Sequence, residues 1–339
     1  MKYVFGASSH LAFYLCKRII EVDLLNPDDC IFFFTRNYHF PPKYSQIFKN
    51  IINTEYNAGL RKGRVFAGIH FFKTRENINY FDSLVDPYLN GEDFIWYSQV
   101  CNNDVCSLFV SKPNCKGYYV IEDGLSSYQN DNPQTFTGWR YIVYKLILKP
   151  LCRRCFEVKN HFITSDHPKF KGCIATTEYC FPLHQQCLRC VGLPFETVKL
   201  NFSPDAVISI DPLYLWINPH QEDAIFQRLS DFVKRKQYKC LAFKFHPFFF
   251  SKDNATIKQR YQQLIYQYYG DDIMEIDSVI GLENVLMSYK SDFYTLSSAV
   301  ALYAHAMGIT VYTYKPIFSE YSSALNTVPI IEEFCIPIN

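Results

Sequence analysis

The chain has no excess of charge of either sign. Its 339 residues carry 34 Lys and Arg side chains against 33 Asp and Glu side chains. A nucleic-acid-binding protein usually shows a basic excess, so we expect no nucleic-acid partner. No internal repeat and no low-complexity tract stands out in the sequence. The length predicts a globular protein with two domains, each with its own hydrophobic core.

Long apolar runs are also missing, and no stretch reaches the roughly 20 residues that a membrane-spanning helix needs. The opening residues 1–6 are typical of a β-strand rather than of a charged segment followed by a long apolar one. We therefore expect no secretory signal and a cytoplasmic location. The 13 cysteines are then expected to be free thiols in a reducing compartment.

Two pairs of cysteines have the CxxC spacing: Cys152 with Cys155, and Cys187 with Cys190. Such pairs can hold a structural zinc ion, but they usually lie about 15–20 residues apart, and a longer segment separates them here. Further cysteines also lie between the pairs. We expect reduced, partly buried thiols and no metal, with a zinc site as the alternative.

Apolar segments of strand length alternate with helix-length segments along the whole chain, which predicts an α/β protein with parallel sheets. The predicted strands of the first half are residues 3–5, 30–35, 64–69, 94–97, 117–121, 162–164 and 197–200. Those of the second half are residues 206–210, 241–245, 273–276, 293–296 and 309–314. We expect two doubly wound, Rossmann-like domains, residues 1–203 and 204–339, facing a central ligand cleft.

The segment Leu241–Phe245 has the pattern of a buried strand, and it ends at His246 and Pro247. Proline lacks a backbone N–H and favours an extended conformation in the preceding residue, so the strand ends there. Ligands of open α/β sheets bind at the carboxyl ends of strands. His246 titrates near neutral pH and can donate a hydrogen bond or a proton to a phosphate oxygen. The alternative is a purely structural histidine.

Two other predicted strands also end in polar residues. Glu122, Asp123 and Gly124 follow residues 117–121; one carboxylate can accept a proton while the other has a structural role, and the glycine permits a sharp turn. Ser297 and Ser298 follow residues 293–296 and precede a helix-forming segment, 299–308, which suits a phosphate. The alternatives are an acidic helix cap and a plain serine N-cap.

In this order, the acidic-acidic-Gly, His-Pro and Ser-Ser motifs resemble those of bacterial sialyltransferases of the GT-B type. That group includes the lipooligosaccharide sialyltransferases and the polysialyltransferases. The resemblance implies a GT-B fold, with Asp123 or its neighbour Glu122 as the catalytic carboxylate and His246 assisting departure of the nucleotide. It implies that the donor phosphate is held by Ser297 and Ser298.

The resemblance also implies a glutamate that binds the ribose of the donor, for which Glu283 is the candidate. Lys244, Pro247 and Gly124 complete the expected donor-binding set. The implied donor is CMP-sialic acid and the implied reaction inverts the anomeric carbon without a metal or other cofactor. The acceptor is then a terminal sugar, such as galactose, of a lipid-linked surface glycan such as lipopolysaccharide or O-antigen, modified in the bacterial cytoplasm.

Residues 139–159 interleave basic and apolar side chains, which favours either an amphipathic helix on the inner membrane surface or an ordinary surface helix. Three functional hypotheses remain open. The first is the sialyltransferase, the second is another GT-B glycosyltransferase with a different nucleotide sugar or a polysialyltransferase of capsule synthesis. The third is a nucleotide-binding protein without catalytic turnover.

Overall fold

The computed structural model describes residues 1–34, 40–54, 71–99, 104–128, 167–250, 254–324 and 332–338. The chain divides into two compact units, Met1–Pro194 and Phe195–Asn339. Each unit contains one sheet, and the paired strands of both sheets are parallel. The predicted α/β class with two Rossmann-like sheets is confirmed.

In the first unit, seven strands form the sheet in the order β3-β2-β1-β4-β5-β6-β7, with the following bounds. They are β1 Lys2–Ala7, β2 Cys30–Phe34, β3 Asn50–Asn53, β4 Phe94–Ser98, β5 Cys115–Ile121, β6 Phe170–Ala175 and β7 Leu188–Cys190. The described helices are α1 His10–Val22, α2 Phe71–Leu89 and α3 Asp104–Val110. The strand order reverses between β1 and β4, which is the position where open α/β sheets bind ligands.

The core of the first unit explains why these segments form strands. All five residues of β2 are buried, as expected for a strand with helices on both faces. Ser9 caps α1, since its hydroxyl accepts the N–H of Ala12 at 3.2 Å. Trp96 stacks on Phe109 at 4.0 Å between ring centroids. A Cβ atom at Gly6 would lie 2.5 Å from Trp96 Cη2, so only glycine fits beneath this indole.

In the second unit, six strands form the sheet in the order β10-β9-β8-β11-β12-β13. They are β8 Ala206–Ile210, β9 Leu241–Phe245, β10 Met274–Glu275, β11 Asp292–Thr295, β12 Val311–Thr313 and β13 Ile336–Pro337. The described helices are α4 Pro219–Lys234, α5 Ala255–Tyr269, α6 Leu282–Tyr289, α7 Val300–Ala306 and α8 Lys315–Ser319. Here β8 lies between β9 and β11, again at a reversal of strand order.

The predicted strands 206–210 and 241–245 have the observed bounds. The predicted strand 197–200 is wrong. The backbone N–H groups of Val198 and Leu200 donate to the side chains of Ser288 and Tyr289 instead of to a neighbouring strand. Sequence reasoning missed β6 and β7, because Lys171 and Gly172 interrupt the apolar pattern in the first and the second has only three residues.

Some predictions concern residues outside the described part of the chain, namely the strands 64–69 and 162–164, the basic segment 139–159 and the first CxxC pair. In the second pair, Cys187 is half-buried and Cys190 is exposed, and both are free thiols. Among the described residues, no helix is long and apolar enough to cross a membrane. Within the same residues, no three His, Cys, Asp or Glu side chains are grouped to bind a metal ion.

Candidate active site

Glu122 follows β5 and is completely buried. Its Oε2 accepts the backbone N–H of Thr176 at 2.8 Å and the hydroxyl of the same residue at 2.7 Å. Its Oε1 accepts the hydroxyl of Tyr128 at 2.7 Å. Burial, followed by the nearby carboxylate, raises the pKa of Tyr128, which therefore stays protonated and can donate. These contacts tie the turn after β5 to the end of β6, and they favour the structural role for Glu122.

Asp123 is half-buried, and its Oδ1 accepts a hydrogen bond from Nε2 of Gln99 at 2.8 Å. Its backbone N–H donates to the Ser127 hydroxyl at 2.8 Å. Gly124 has a φ of +66°, which places it in the left-handed region that glycine adopts without strain. The chain turns away at Gly124, and the carboxylate of Asp123 stays at the carboxyl end of β5.

Gln99 follows β4 and is almost fully buried. Its Oε1 accepts the backbone N–H of Ser8 at 2.8 Å and the hydroxyl of Ser8 at 2.7 Å. Because a backbone N–H can only donate, the amide oxygen of Gln99 must face Ser8. Its NH₂ group then faces Asp123 and also lies 3.3 Å from the hydroxyl of Ser9. We call Ser8, Ser9, Gln99 and Asp123 the carboxylate cluster.

The carboxylate cluster joins the ends of three adjacent strands, β1, β4 and β5. Its side chains combine one carboxylate with hydroxyl and amide groups, which suits hydrogen bonding to a sugar and removal of a hydroxyl proton. Sequence reasoning identified Asp123 but missed Gln99. The only sequence signal is a polar residue directly after an apolar strand, and its pairing with Asp123 depends on β4 lying beside β5.

His246 follows β9 and is exposed. Its backbone N–H donates to the carbonyl of Ile210 at 3.0 Å, and its Nδ1 accepts the backbone N–H of Phe248 at 3.2 Å. The neutral ring therefore carries its proton on Nε2. Protein atoms that crowd the ring lower the pKa of His246 by desolvation. At neutral pH the side chain is thus an uncharged N–H donor held at the end of its strand by the turn that Pro247 begins.

A second His-Pro pair, His167 and Pro168, lies at the other end of a strand. His167 precedes β6, and its Nδ1 accepts the backbone N–H of Lys169 at 3.1 Å. Only carboxyl ends of parallel strands form the ligand edge of such a sheet. This position agrees with the choice of His246 as the candidate.

Lys244 is buried within β9, and its ammonium donates to the carbonyls of Asp277 at 2.8 Å and Ser278 at 3.3 Å. Burial lowers the pKa of Lys244 to about 8, against the opposing effect of Glu283 and other acids. Burial raises the pKa of Glu283, which lies in the first turn of α6. Lys244 therefore holds the loop between β10 and α6. Glu283 lies at the start of the helix that follows this loop.

Ser297 and Ser298 follow β11, but α7 begins only at Val300 and has seven residues. The Ser298 hydroxyl accepts the backbone N–H of Val300 at 3.2 Å, as a capping residue does. The hydroxyl oxygen of Ser297 is buried and has no hydrogen-bond partner within the part of the chain that the structure describes. A buried hydroxyl without a partner is costly, so Ser297 is the more informative residue of the pair.

The structure therefore groups the predicted residues by unit. Glu122, Asp123 and Gly124 lie at the ligand edge of the first sheet. The remaining predicted residues lie at or behind the ligand edge of the second sheet: Lys244, His246, Pro247, Glu283, Ser297 and Ser298. The expectation that both edges act on one ligand stays a prediction.

We predict that Glu122→Gln lowers the free energy of unfolding by about 1–3 kcal/mol. The substitution turns three hydrogen bonds to a carboxylate into bonds to a neutral amide, and the Tyr128 hydroxyl has to accept from the new NH₂ group instead of donating. Urea unfolding followed by circular dichroism measures the change. Glu178→Gln, at an exposed position of the same unit, is the control and should leave stability unchanged. Equal midpoints for both variants would contradict the structural role of Glu122.

Solved structures show where this architecture occurs. A proposed UDP-N-acetylglucosamine 2-epimerase from Listeria monocytogenes superposes with a TM-score of 0.53 at 11% identity, over 98% of this chain and 86% of that chain. The S. aureus MnaA–UDP co-structure superposes with a TM-score of 0.50 at 12% identity, over 92% and 79% of the two chains. No protein-family model and no curated protein matches the sequence.

The comparisons correct one prediction, that of CMP-sialic acid as the partner. The nucleotide named for the S. aureus structure is UDP. The motifs that suggested a sialyltransferase are short features at strand ends. They do not identify the nucleobase or the sugar of a donor. At these identities the comparison establishes the fold alone, and that fold is GT-B.

Proposed function

We propose that this chain is a GT-B glycosyltransferase that moves a sugar from a UDP-sugar to a hydroxyl group of an acceptor. The observation that carries the proposal is the carboxylate cluster, in which Gln99 fixes the carboxylate of Asp123 at the ligand edge of the first sheet. The UDP named for the S. aureus structure with the same fold supports UDP as the nucleotide of the donor.

In this proposal, Asp123 is the general base. Its carboxylate accepts the proton of the acceptor hydroxyl while the oxygen of that hydroxyl attacks the anomeric carbon of the donor. The bond between that carbon and the UDP oxygen breaks in the same displacement, so the anomeric configuration inverts. The hydrogen bond from Gln99 keeps the carboxylate in one orientation, and the hydroxyls of Ser8 and Ser9 offer further contacts for a sugar.

The second unit supplies the groups that stabilise the departing UDP. His246 presents Nε2–H to a phosphate oxygen, and the buried hydroxyl of Ser297 provides a second donor. Glu283 is the proposed partner of the ribose hydroxyls, and Lys244 positions it by holding the loop that precedes α6. Fixed donors of this kind stabilise developing charge without a metal ion, so we propose that no divalent cation is required.

A second candidate is a UDP-sugar 2-epimerase. It is favoured by one observation, the TM-score of 0.53 to the Listeria monocytogenes protein. Epimerisation at C2 must break a C–H bond, whereas glycosyl transfer leaves that bond intact. Incubation of the full chain with UDP-GlcNAc in D₂O, without an acceptor, separates the two. Deuterium at C2 of the recovered nucleotide sugar identifies the epimerase.

We predict that the full chain releases UDP from UDP-glucose or UDP-GlcNAc in the presence of EDTA and a panel of sugar acceptors. Asp123→Asn should lower kcat by about 10²–10⁴-fold, because the amide cannot accept the proton. The exposed Asp271→Asn is the control and should leave kcat unchanged. UDP release measured by a coupled assay gives both values.

Three outcomes would contradict parts of this proposal. Binding of a UDP-sugar without turnover in any acceptor would favour the non-catalytic nucleotide-binding protein. Near-normal kcat in Asp123→Asn combined with loss in Glu122→Gln would make Glu122 the base. Turnover that disappears with EDTA and returns with a divalent cation would show that a metal is needed.

We predict that His246→Ala lowers kcat by about 10²–10³-fold and changes KM for the donor much less. The N–H of His246 is proposed to act on charge that develops as UDP departs, so its removal affects the transition state more than the bound donor. His246→Gln restores a side-chain N–H donor and should recover part of the rate. A rise in donor KM with kcat unchanged would limit His246 to binding.

A further inference from the structure

The peptide group of Leu296, directly before Ser297, is held from both sides. Its N–H faces the carboxyl group of Asp211, which follows β8, closely enough to lower the pKa of that group against the effect of burial. Its carbonyl accepts the hydroxyl of Thr313, the last residue of β12, at 2.9 Å. The strands β8 and β12 are the two neighbours of β11 in the sheet, so the turn that carries Ser297 is fixed by both.

The hydroxyl of Tyr314 lies between Asp211 and a backbone carbonyl. Tyr314 Oη lies 3.1 Å from the carbonyl oxygen of Ser209 and 3.2 Å from Oδ2 of Asp211. A hydroxyl has one hydrogen, so it cannot donate fully to both oxygens at the same time. A neutral Asp211 would satisfy both contacts, because its own hydrogen could go to Tyr314 Oη while the hydroxyl donates to Ser209.

The surroundings of Asp211 favour the same neutral form. Asp211 is 8% exposed, and no Lys, Arg or His among the described residues forms an ion pair with it. Burial raises the pKa of Asp211 to about 7, although the Leu296 N–H and the Tyr314 hydroxyl oppose the shift. The titratable side chains next to Tyr314 are Tyr261 and Tyr269, and burial raises the pKa of both, so they carry no charge near neutral pH.

We propose that Asp211 is a positioning residue, held as a neutral carboxylic acid, that fixes the Leu296 peptide and thereby places the Ser297 hydroxyl against a phosphate of the donor. The inference deepens the proposed function and rests on its donor site. The neutral acid holds the turn by hydrogen bonds and adds no negative charge beside the diphosphate. An ionised Asp211 would compete with the Ser209 carbonyl for the one hydrogen of Tyr314 and would repel the same anion.

This arrangement links donor binding to the protonation of Asp211. If only the neutral form binds, a midpoint near pH 7 predicts affinity that is about 15-fold weaker at pH 8.5 than at pH 7.0. His246 contributes little to this change, because its lowered pKa keeps it largely neutral throughout the interval. Lys244, with a pKa of about 8, loses charge in the same interval. Glu283 has a raised pKa, so a matched variant is needed to isolate the share of Asp211.

Asp211→Asn is that variant, because an asparagine amide mimics the neutral acid at every pH. Its oxygen accepts the Leu296 N–H and its NH₂ donates to Tyr314 Oη. Calorimetry measures the Kd of the full chain for UDP-glucose and UDP-GlcNAc at pH 7.0 and 8.5. The diphosphate of these probes is esterified at both ends and does not titrate in this range. We expect Asp211→Asn to bind within about threefold of the wild type at pH 7.0. Its Kd should lack the roughly 15-fold rise that we expect for the wild type between pH 7.0 and 8.5.

The same ratio of Kd values between the two pH values in the wild type and in Asp211→Asn would overturn the inference. Absence of binding of both nucleotide sugars by the wild type would overturn the proposed donor instead, and unfolding of the ligand-free protein then tests Asp211. The pKa of Asp211 is higher in the folded than in the unfolded protein. The stabilisation that the neutral acid contributes is therefore lost as pH rises towards 7. The melting temperature of Asp211→Asn, relative to that of the wild type, should therefore rise between pH 5.0 and 8.5. A constant difference would also overturn the inference.

Discussion

A buried carboxyl group has to find hydrogen-bond donors, and one such group lies at the ligand edge of each sheet. In the first unit, Glu122 takes the N–H of Thr176 from the end of the neighbouring strand and a hydroxyl from Tyr128. In the second, the carboxyl group of Asp211 faces the N–H of Leu296, at the end of a neighbouring strand, and lies 3.2 Å from the hydroxyl of Tyr314. Each acid thus joins two strand ends where the sheet itself has stopped.

Both acids lie beside residues of the candidate site. The contacts of Glu122 fix the turn that presents Asp123, and Asp211 is the proposed support of the peptide that precedes Ser297. Lys244 has a similar indirect role, because its ammonium holds the carbonyls of the loop that leads to Glu283. The buried side chains of Glu122, Asp211 and Lys244 are therefore the proposed supports of the site, while Asp123, His246 and Ser297 are the groups proposed to contact substrate.

The sequence was sufficient for the residues whose position follows from one strand. The apolar run ending at Pro247 placed His246 at a strand end, and the acidic turn placed Asp123 at another. The role of Gln99 could not be predicted from the sequence, because its partners follow β1 and β5 and only the strand order brings them together. The nucleotide of the donor could not be predicted either, because the three motifs consist of groups that fit any phosphate and acceptor hydroxyl.

Charge balance in the second unit connects these points. A UDP-sugar brings a diphosphate, and the described groups proposed to face it are an uncharged imidazole and a hydroxyl, while the buried ammonium of Lys244 is bound to backbone carbonyls. Neutral donors stabilise an anion only when no uncompensated negative charge lies beside them. An ionised Asp211 would place such a charge one peptide away from Ser297. In the proposed neutral state, a hydrogen-bond chain runs from Asp211 through Tyr314 to the Ser209 carbonyl, a backbone acceptor that cannot change its own charge.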